Sequence, residues 1–265
     1  MKREIAVIAG EGALPVEICR SLSAESAVCV IYSFRSDNSA ISDMGFEIKQ
    51  LDGPSFADVI GDMKGKGITS VIFAGKVPKK LIYRPELLDE IGRRMLAGLD
   101  VKDDHSLLGR IADTFEGFGV EVLPYRDIIP ASFALAGHIA GREPSELELH
   151  DMEYGREILK TILPLSFGQA VVVADGAVVA VEAMEGTDET IKRAGGFCKG
   201  GVVVKMMKAG QDERFDLPTV GTETLDNMAS SGLTCLAVES GRTIILNKEP
   251  FCSLASRYDI SVIGL

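Results

Sequence analysis

The sequence predicts an α/β protein of two domains: a parallel sheet covered by helices in the first half, and a mixed α/β domain with hairpins in the second. Two observations predict this. Up to Pro130, short apolar runs alternate with helix-period segments; beyond it, strands come in close pairs around Asp-Gly and Ser-Gly turns. Alternation implies parallel strands, because a parallel neighbour needs a crossover long enough to hold a helix. Two-residue turns imply antiparallel neighbours.

The elements follow in order. Ile5 to Ala9 is a buried strand, and Pro15 to Leu22 a helix with proline in the first turn, where its missing N–H costs nothing. Val28 to Phe34 is the second strand, Phe56 to Lys66 a helix, and Val71 to Ala74 the third strand. Leu87 to Leu96 and Ser106 to Phe118 read as helices, and Val120 to Leu123 as a strand. After Pro144, Glu146 to Leu163 forms one long helix. Ala170 to Ala174 and Ala177 to Val181 flank Asp175-Gly176, a strong hairpin signal because both central positions need positive φ. A second hairpin is expected where Leu236 to Glu239 and Thr243 to Leu246 flank Ser240-Gly241. The domain boundary falls near Gly137, Gly141 and Pro144, giving domains of residues 1–138 and 139–265, with a crevice between them as the place for a ligand.

Composition narrows the function. With 265 residues the chain can bury one large core or two modest ones. A net charge of −11 argues against nucleic-acid binding, which needs a positive field, but a local cluster of Lys and Arg can still take a small anion. No targeting signal is visible, and the apolar runs fall far short of the roughly 20 residues that span a bilayer. A cytoplasmic protein with peripheral membrane contact at most is expected. The five scattered cysteines form no CxxC pair and read as reduced thiols.

Three constellations can carry chemistry. In Gly10-Glu-Gly12-Ala13-Leu14-Pro15, glycines after a strand let backbone approach a phosphate, and the following helix offers its first amides. Pro15 stands where a dinucleotide fingerprint has its third glycine, and Ser33-Phe34-Arg35 holds no ribose-binding carboxylate, so a nicotinamide site is disfavoured. In Glu182-Ala-Met-Glu185-Gly186-Thr187-Asp188, three carboxylates surround a glycine turn. They either hold a hard cation or merely cap the next helix through Thr187 or Asp188. Third, Val202 to Lys205 leads into a loop with Lys208, Gln211, Asp212, Arg214 and Asp216 before Pro218, Thr219 and Gly221. Cations there could neutralise phosphate and a carboxylate could hold metal or activate water. No phosphate loop of the GxxxxGK[ST] type, HExxH or GxSxG is present, and His105, His138 and His150 are isolated.

These segments, with Phe73-Ala74-Gly75-Lys76-Val77, Asp103-Asp104-His-Ser-Leu-Leu108, Gly168-Gln169 and Arg214-Phe-Asp216-Leu-Pro-Thr-Val-Gly221, resemble the LpxI-type UDP-2,3-diacylglucosamine pyrophosphatases over essentially the whole chain. The resemblance implies a Rossmann-like N-terminal domain and a catalytic C-terminal domain. It implies hydrolysis of the substrate's diphosphate to UMP and 2,3-diacylglucosamine 1-phosphate in lipid A biosynthesis, with water attacking the sugar-side phosphorus and Mg²⁺ as cofactor. Asp216 takes the catalytic position, and Glu182, Asp188 and Asp216 are the expected metal ligands. Substrate contacts are expected from Gly10, Gly12, Ala13, Leu14, Pro15, Ala74, Gly75, Lys76, Asp104 and Gln169. Further contacts are expected from Glu185, Gly186, Thr187, Lys205, Gln211, Arg214, Thr219 and Gly221. Met206, Met207, Phe197 and the Leu81 to Leu96 stretch could face acyl chains, with core packing the commoner role for such residues, and a homodimer is expected because two-fold oligomers are common. The other reading is a module that binds a nucleotide sugar or lipid without turnover.

Overall fold

The computed structural model describes residues 4–25, 28–77, 88–97, 104–165, 168–208 and 210–265; the side chains at 28, 29, 104 and 105 also lie outside the description. The chain forms two compact units. The first is Met1–Pro130 together with Asp212–Asp216; the second is Ala131–Gln211 together with Leu217–Leu265. The expected boundary at 138/139 would cut a strand of the second unit, and the division falls instead at 130/131. The five-residue return of Asp212–Asp216 to the first unit was not expected.

In the first unit, β1 (Glu4–Ala9), β2 (Val28–Ser33), β3 (Glu47–Gln50), β4 (Ser70–Ala74) and β5 (Glu121–Val122) make a sheet of order β3-β2-β1-β4-β5. All its pairings are parallel. The helices are α1 (Leu14–Ala24), α2 (Ser39–Ser42), α3 (Phe56–Gly65), α4 (Glu90–Ala97) and α5 (Asp104–Gly117). Ala6, Val30, Tyr32, Val71 and Phe73 share one core cluster with Phe56, Val59 and Met63 of α3, Met95 of α4 and Phe115 of α5. The alternate residues Ile5, Val7, Ile31 and Ile72 are also buried, so the central strands are covered on both faces. Leu87, the expected start of α4, lies outside the described residues. β3 escaped the sequence because an edge strand reading Glu-Ile-Lys-Gln carries a single apolar residue.

In the second unit, β6 (Gly137–Ala140), α6 (Glu146–Ile162), β7 (Ala170–Ala174), β8 (Ala177–Val181) and α7 (Thr187–Ala194) come first. Then follow β9 (Val202–Lys205), β10 (Thr219–Val220), α8 (Thr222–Ser231), β11 (Cys235–Val238), β12 (Ile244–Ile245), α9 (Lys248–Arg257) and β13 (Ser261–Gly264). Six strands form a mixed sheet of order β6-β13-β11-β9-β7-β8, its three middle strands parallel and its flanking pairs antiparallel. Leu159 of α6 packs on one face with Val171, Val173, Val202 and Val204. Ile191 of α7, Leu225 and Met228 of α8 and Phe251 of α9 pack on the other with Val172, Val203 and Leu236.

The Asp175-Gly176 hairpin forms as expected, with φ of 51° and 74° at its two turn residues. The second hairpin does not. β11 pairs in parallel with β9 and β13, and β12 pairs with β10 in a separate two-stranded sheet. Ser240-Gly241 turns the chain, but β11 is wholly buried and draws its partners from the middle of the sheet.

The long helix is anchored by Glu148, which closes a capping box with Ser145. Arg142 donates to both its carboxylate oxygens at 2.7 and 2.6 Å, and the Thr234 hydroxyl at 2.7 Å. Burial alone would raise this carboxyl, but the Arg142, Ser145 and Thr234 hydrogen bonds override it and hold its pKa down at about 2 against an ordinary 4.5. A lowered folded-state pKa stabilises above the unfolded value and loses that stabilisation as pH falls through the folded one. Stability should therefore fall by roughly 2–3 kcal/mol between about pH 4.5 and 2 through this one group. Urea unfolding of the native protein and Glu148→Gln across that range checks it; equal pH slopes in the two would refute the assignment.

Candidate active site

The strand order of the first sheet reverses at β1 and β4: β2 and β3 lie to one side, β5 to the other. Open α/β sheets hold ligands at the carboxyl ends of such strands. Here the two loops are zipped together. The Gly10 amide donates to the Ala74 carbonyl at 2.7 Å, and Glu11 and Lys76 exchange backbone bonds of 2.8 and 2.9 Å. Glycine makes the approach possible: a Cβ on Gly10 would stand 2.6 Å from the Lys76 carbonyl, and one on Gly75, whose φ is +82°, 2.5 Å from the Glu11 oxygen. Gly12 then leads into α1, where Ala13 provides no side-chain cap and Leu14 and Pro15 begin the helix, leaving first-turn amides available to an anion.

Arg35, at the end of β2, donates through Nη1 to the carbonyls of Gly10 at 3.1 Å and Gly12 at 2.6 Å. The place where a dinucleotide site wants a carboxylate therefore holds a cation that braces the glycine loop. The sequence marked Arg35 only by the absence of an acid. The Ser36 amide donates to Glu11 at 2.7 Å and holds that carboxyl below its usual range.

The returning segment packs against the end of β4. Phe215 is buried, and its ring lies 6.1 Å from that of Phe73. The Asp212 carbonyl accepts from the Phe215 amide at 3.3 Å and the Asp216 amide at 3.0 Å, closing a turn. The Asp212 carboxylate accepts from Arg214 Nε at 3.0 Å and Nη2 at 2.7 Å, and Arg214 Nη1 donates to Glu116. The Asp212 pairing, first of several, raises the Arg214 pKa. Arg214 is thus an oriented cation held by two carboxylates, and Asp212 is its clamp. Asp216 is half-buried at the end of this turn. Burial first, and the nearby Asp216 charge second, push the Tyr125 hydroxyl up.

In the second unit the predicted residues gather where β9 ends. The Met206 amide donates to the Gln169 carbonyl at 3.0 Å, and Lys205 Nζ donates to the Thr219 carbonyl at 2.9 Å. Lys205 is only 6% exposed, so it is not the surface cation its loop position suggests. Glu182 is equally buried; its two oxygens accept from the Gln169 amide and the Thr187 hydroxyl, each at 3.1 Å. Neither Thr187 nor Asp188 caps α7, because the N-cap is Gly186, at φ 85°. Glu185 accepts from Arg193 at 2.5 Å, and its own amide, then Arg193, keeps its pKa low. Gln211 accepts from the Lys208 amide at 2.7 Å, closing the loop after β9, and Gly221 caps α8. Glu239, which the sequence did not single out, accepts from the Met207 amide at 2.8 Å. Among the described residues, Gln169 Oε1 is buried with no hydrogen-bond partner. The Asp104 side chain lies outside the described residues. Met206 and Met207 are core residues, whereas Phe197 is 78% exposed.

Among the described residues, no three Asp, Glu, His or Cys side chains gather into a group that could hold a metal ion. Both Glu182 oxygens already accept protein hydrogen bonds, which does not fit a resident cage through Glu182. A Mg²⁺ that keeps one or two carboxylates and takes its other ligands from phosphate and water does fit this chemistry.

The family described as LpxI N-terminal domain matches residues 4–132, and the LpxI C-terminal domain matches residues 135–263. The chain is 30% identical over 283 aligned positions to the UDP-2,3-diacylglucosamine pyrophosphatase LpxI of Caulobacter vibrioides, covering 99% of this chain and 98% of that protein. Among solved structures, a phosphoribosylglycinamide formyltransferase from Anaplasma phagocytophilum aligns with a TM-score of 0.24 at 11% identity, covering 51% of this chain and 91% of that one. The glycotransferase of kitacinnamycin aligns with a TM-score of 0.25 at 11% identity, covering 100% and 86%. Neither likeness bears on function.

Proposed function

The chain belongs to the LpxI family, and from that premise we propose that it hydrolyses the diphosphate of UDP-2,3-diacylglucosamine to UMP and 2,3-diacylglucosamine 1-phosphate. The observation that carries the mechanism is the built turn of Asp212–Asp216, which carries an oriented arginine and, two residues further on, a half-buried carboxylate. Phosphoryl transfer asks chiefly for charge neutralisation and an aligned nucleophile. In this reading, water attacks the sugar-side phosphorus and its proton passes to a carboxylate. The bond from that phosphorus to the bridging oxygen breaks, and the oxygen leaves with UMP. Arg214 meets charge on the diphosphate, and Asp216 either takes the proton or holds Mg²⁺. A bound Mg²⁺ would supply further neutralisation of the phosphates. The glycine loops after β1 and β4 receive an anionic part of the nucleotide.

Contact with the bilayer is peripheral in this reading. The substrate is a lipid, and among the described residues no helix is long and apolar enough to cross a membrane.

Incubation with labelled UDP-diacylglucosamine and Mg²⁺ should release UMP. EDTA should stop the release and added Mg²⁺ restore it. No UMP above background would defeat the proposal; tight substrate binding without turnover would favour a binding module.

A further inference from the structure

We propose that Tyr125 is a positioning residue for the hydrolysis: its hydroxyl ties the turn that carries Asp216 to the end of β4. The proposal rests on the reading of Asp216 given above. β5 supplies its last ladder bond when the Leu123 amide donates to the Val71 carbonyl at 2.9 Å. The next carbonyl on that side of β4, two residues on, is that of Phe73. Pro124 ends the strand, and the chain turns away through Tyr125–Asp127 where the next ladder amide, that of Tyr125, would have followed. The Tyr125 side chain returns the missing donor. Its hydroxyl lies 2.7 Å from the Phe73 carbonyl and 3.1 Å from the Phe215 carbonyl, so its one proton has both acceptors within hydrogen-bond reach. Tyr125 is 2% exposed, and a hydroxyl so deep is tolerated when it is hydrogen-bonded. Phe215 immediately precedes Asp216, so the bond acts one residue from the carboxylate. Side-chain contacts of Phe215 and Arg214 and the turn's own backbone bonds restrain this turn as well.

Tyr125→Phe keeps the ring and removes the tie. We expect kcat to fall about tenfold, the scale of one neutral hydrogen bond, with KM within about twofold. A merely structural tyrosine would lower the melting temperature and leave kcat at 25 °C alone. If Tyr125 works through Asp216, the Tyr125→Phe/Asp216→Asn double variant should be no slower than Asp216→Asn, because residues acting as a unit are not additive. Wild-type kcat in Tyr125→Phe, or a further tenfold loss in the double variant, would overturn the proposal while leaving the Asp216 reading standing. Wild-type turnover in Asp216→Asn would overturn both. Should Tyr125→Phe fail to fold, Phe215→Leu carries the test by weakening the same docking. A fall in its kcat at constant KM supports the proposal, and unchanged kcat overturns it.

Discussion

Asp216→Asn should lower kcat by at least about a hundredfold, the lower range for losing a general base, while the protein stays folded and still binds substrate. Asparagine matches the shape of aspartate and can keep its hydrogen bonds, so the substitution removes charge and little else. Asp216 is half-buried, in a turn set by the Asp212 carbonyl and by Phe215 packed on Phe73. None of these restraints depends on the Asp216 charge, so the turn should keep its course in the variant. The two roles open to the carboxylate separate by titration. If it holds the cation, excess Mg²⁺ should restore part of the activity; if it takes the proton, added Mg²⁺ should do nothing. Near-wild-type turnover would sink the assignment.

Gly75→Ala should destabilise the first unit by about 2 kcal/mol or more and raise KM severalfold. Two costs add. An L-residue held at a φ of +82° loses on the order of 1–2 kcal/mol. The new Cβ would also lie 2.5 Å from the Glu11 oxygen, so the loops after β1 and β4 must part and give up their backbone pairing. Gly12→Ala separates the two costs: Gly12 has a φ of +100° but no described residue within 4 Å of a built Cβ, so it should show only the conformational cost. Equal melting temperatures in the two variants would mean that the close approach is not what holds these loops.

Most elements were legible because burial imposes a period on the chain. β7 is apolar throughout, β1, β4 and β9 are apolar but for one terminal residue each, and α6 begins just after Pro144. Asp175-Gly176 announced its hairpin, since a turn residue's φ is a local property. Ser240-Gly241 announced a turn equally well but misassigned the pairing, because partners are set by which strands bury which faces. The same limit applied to Lys205, whose position after an apolar strand suggested a loop cation but whose ammonium is buried against the Thr219 carbonyl.

By itself the sequence determined the two α/β units, the glycine loop after β1, the chemical types at the site and the family resemblance. All of these depend on residue identity and short spacing. Only the tertiary structure decided that Asp212–Asp216 leaves its sequence neighbours for the first unit, that Arg214 is clamped between Asp212 and Glu116, and that Tyr125 ties the Asp216 turn to β4. Glu116 and Arg214 are 98 positions apart, and Tyr125 and Phe215 are 90. Contacts over such separations leave no period in the chain. They form because a buried ring or hydroxyl, or a half-buried guanidinium, must find a partner wherever folding brings one within reach.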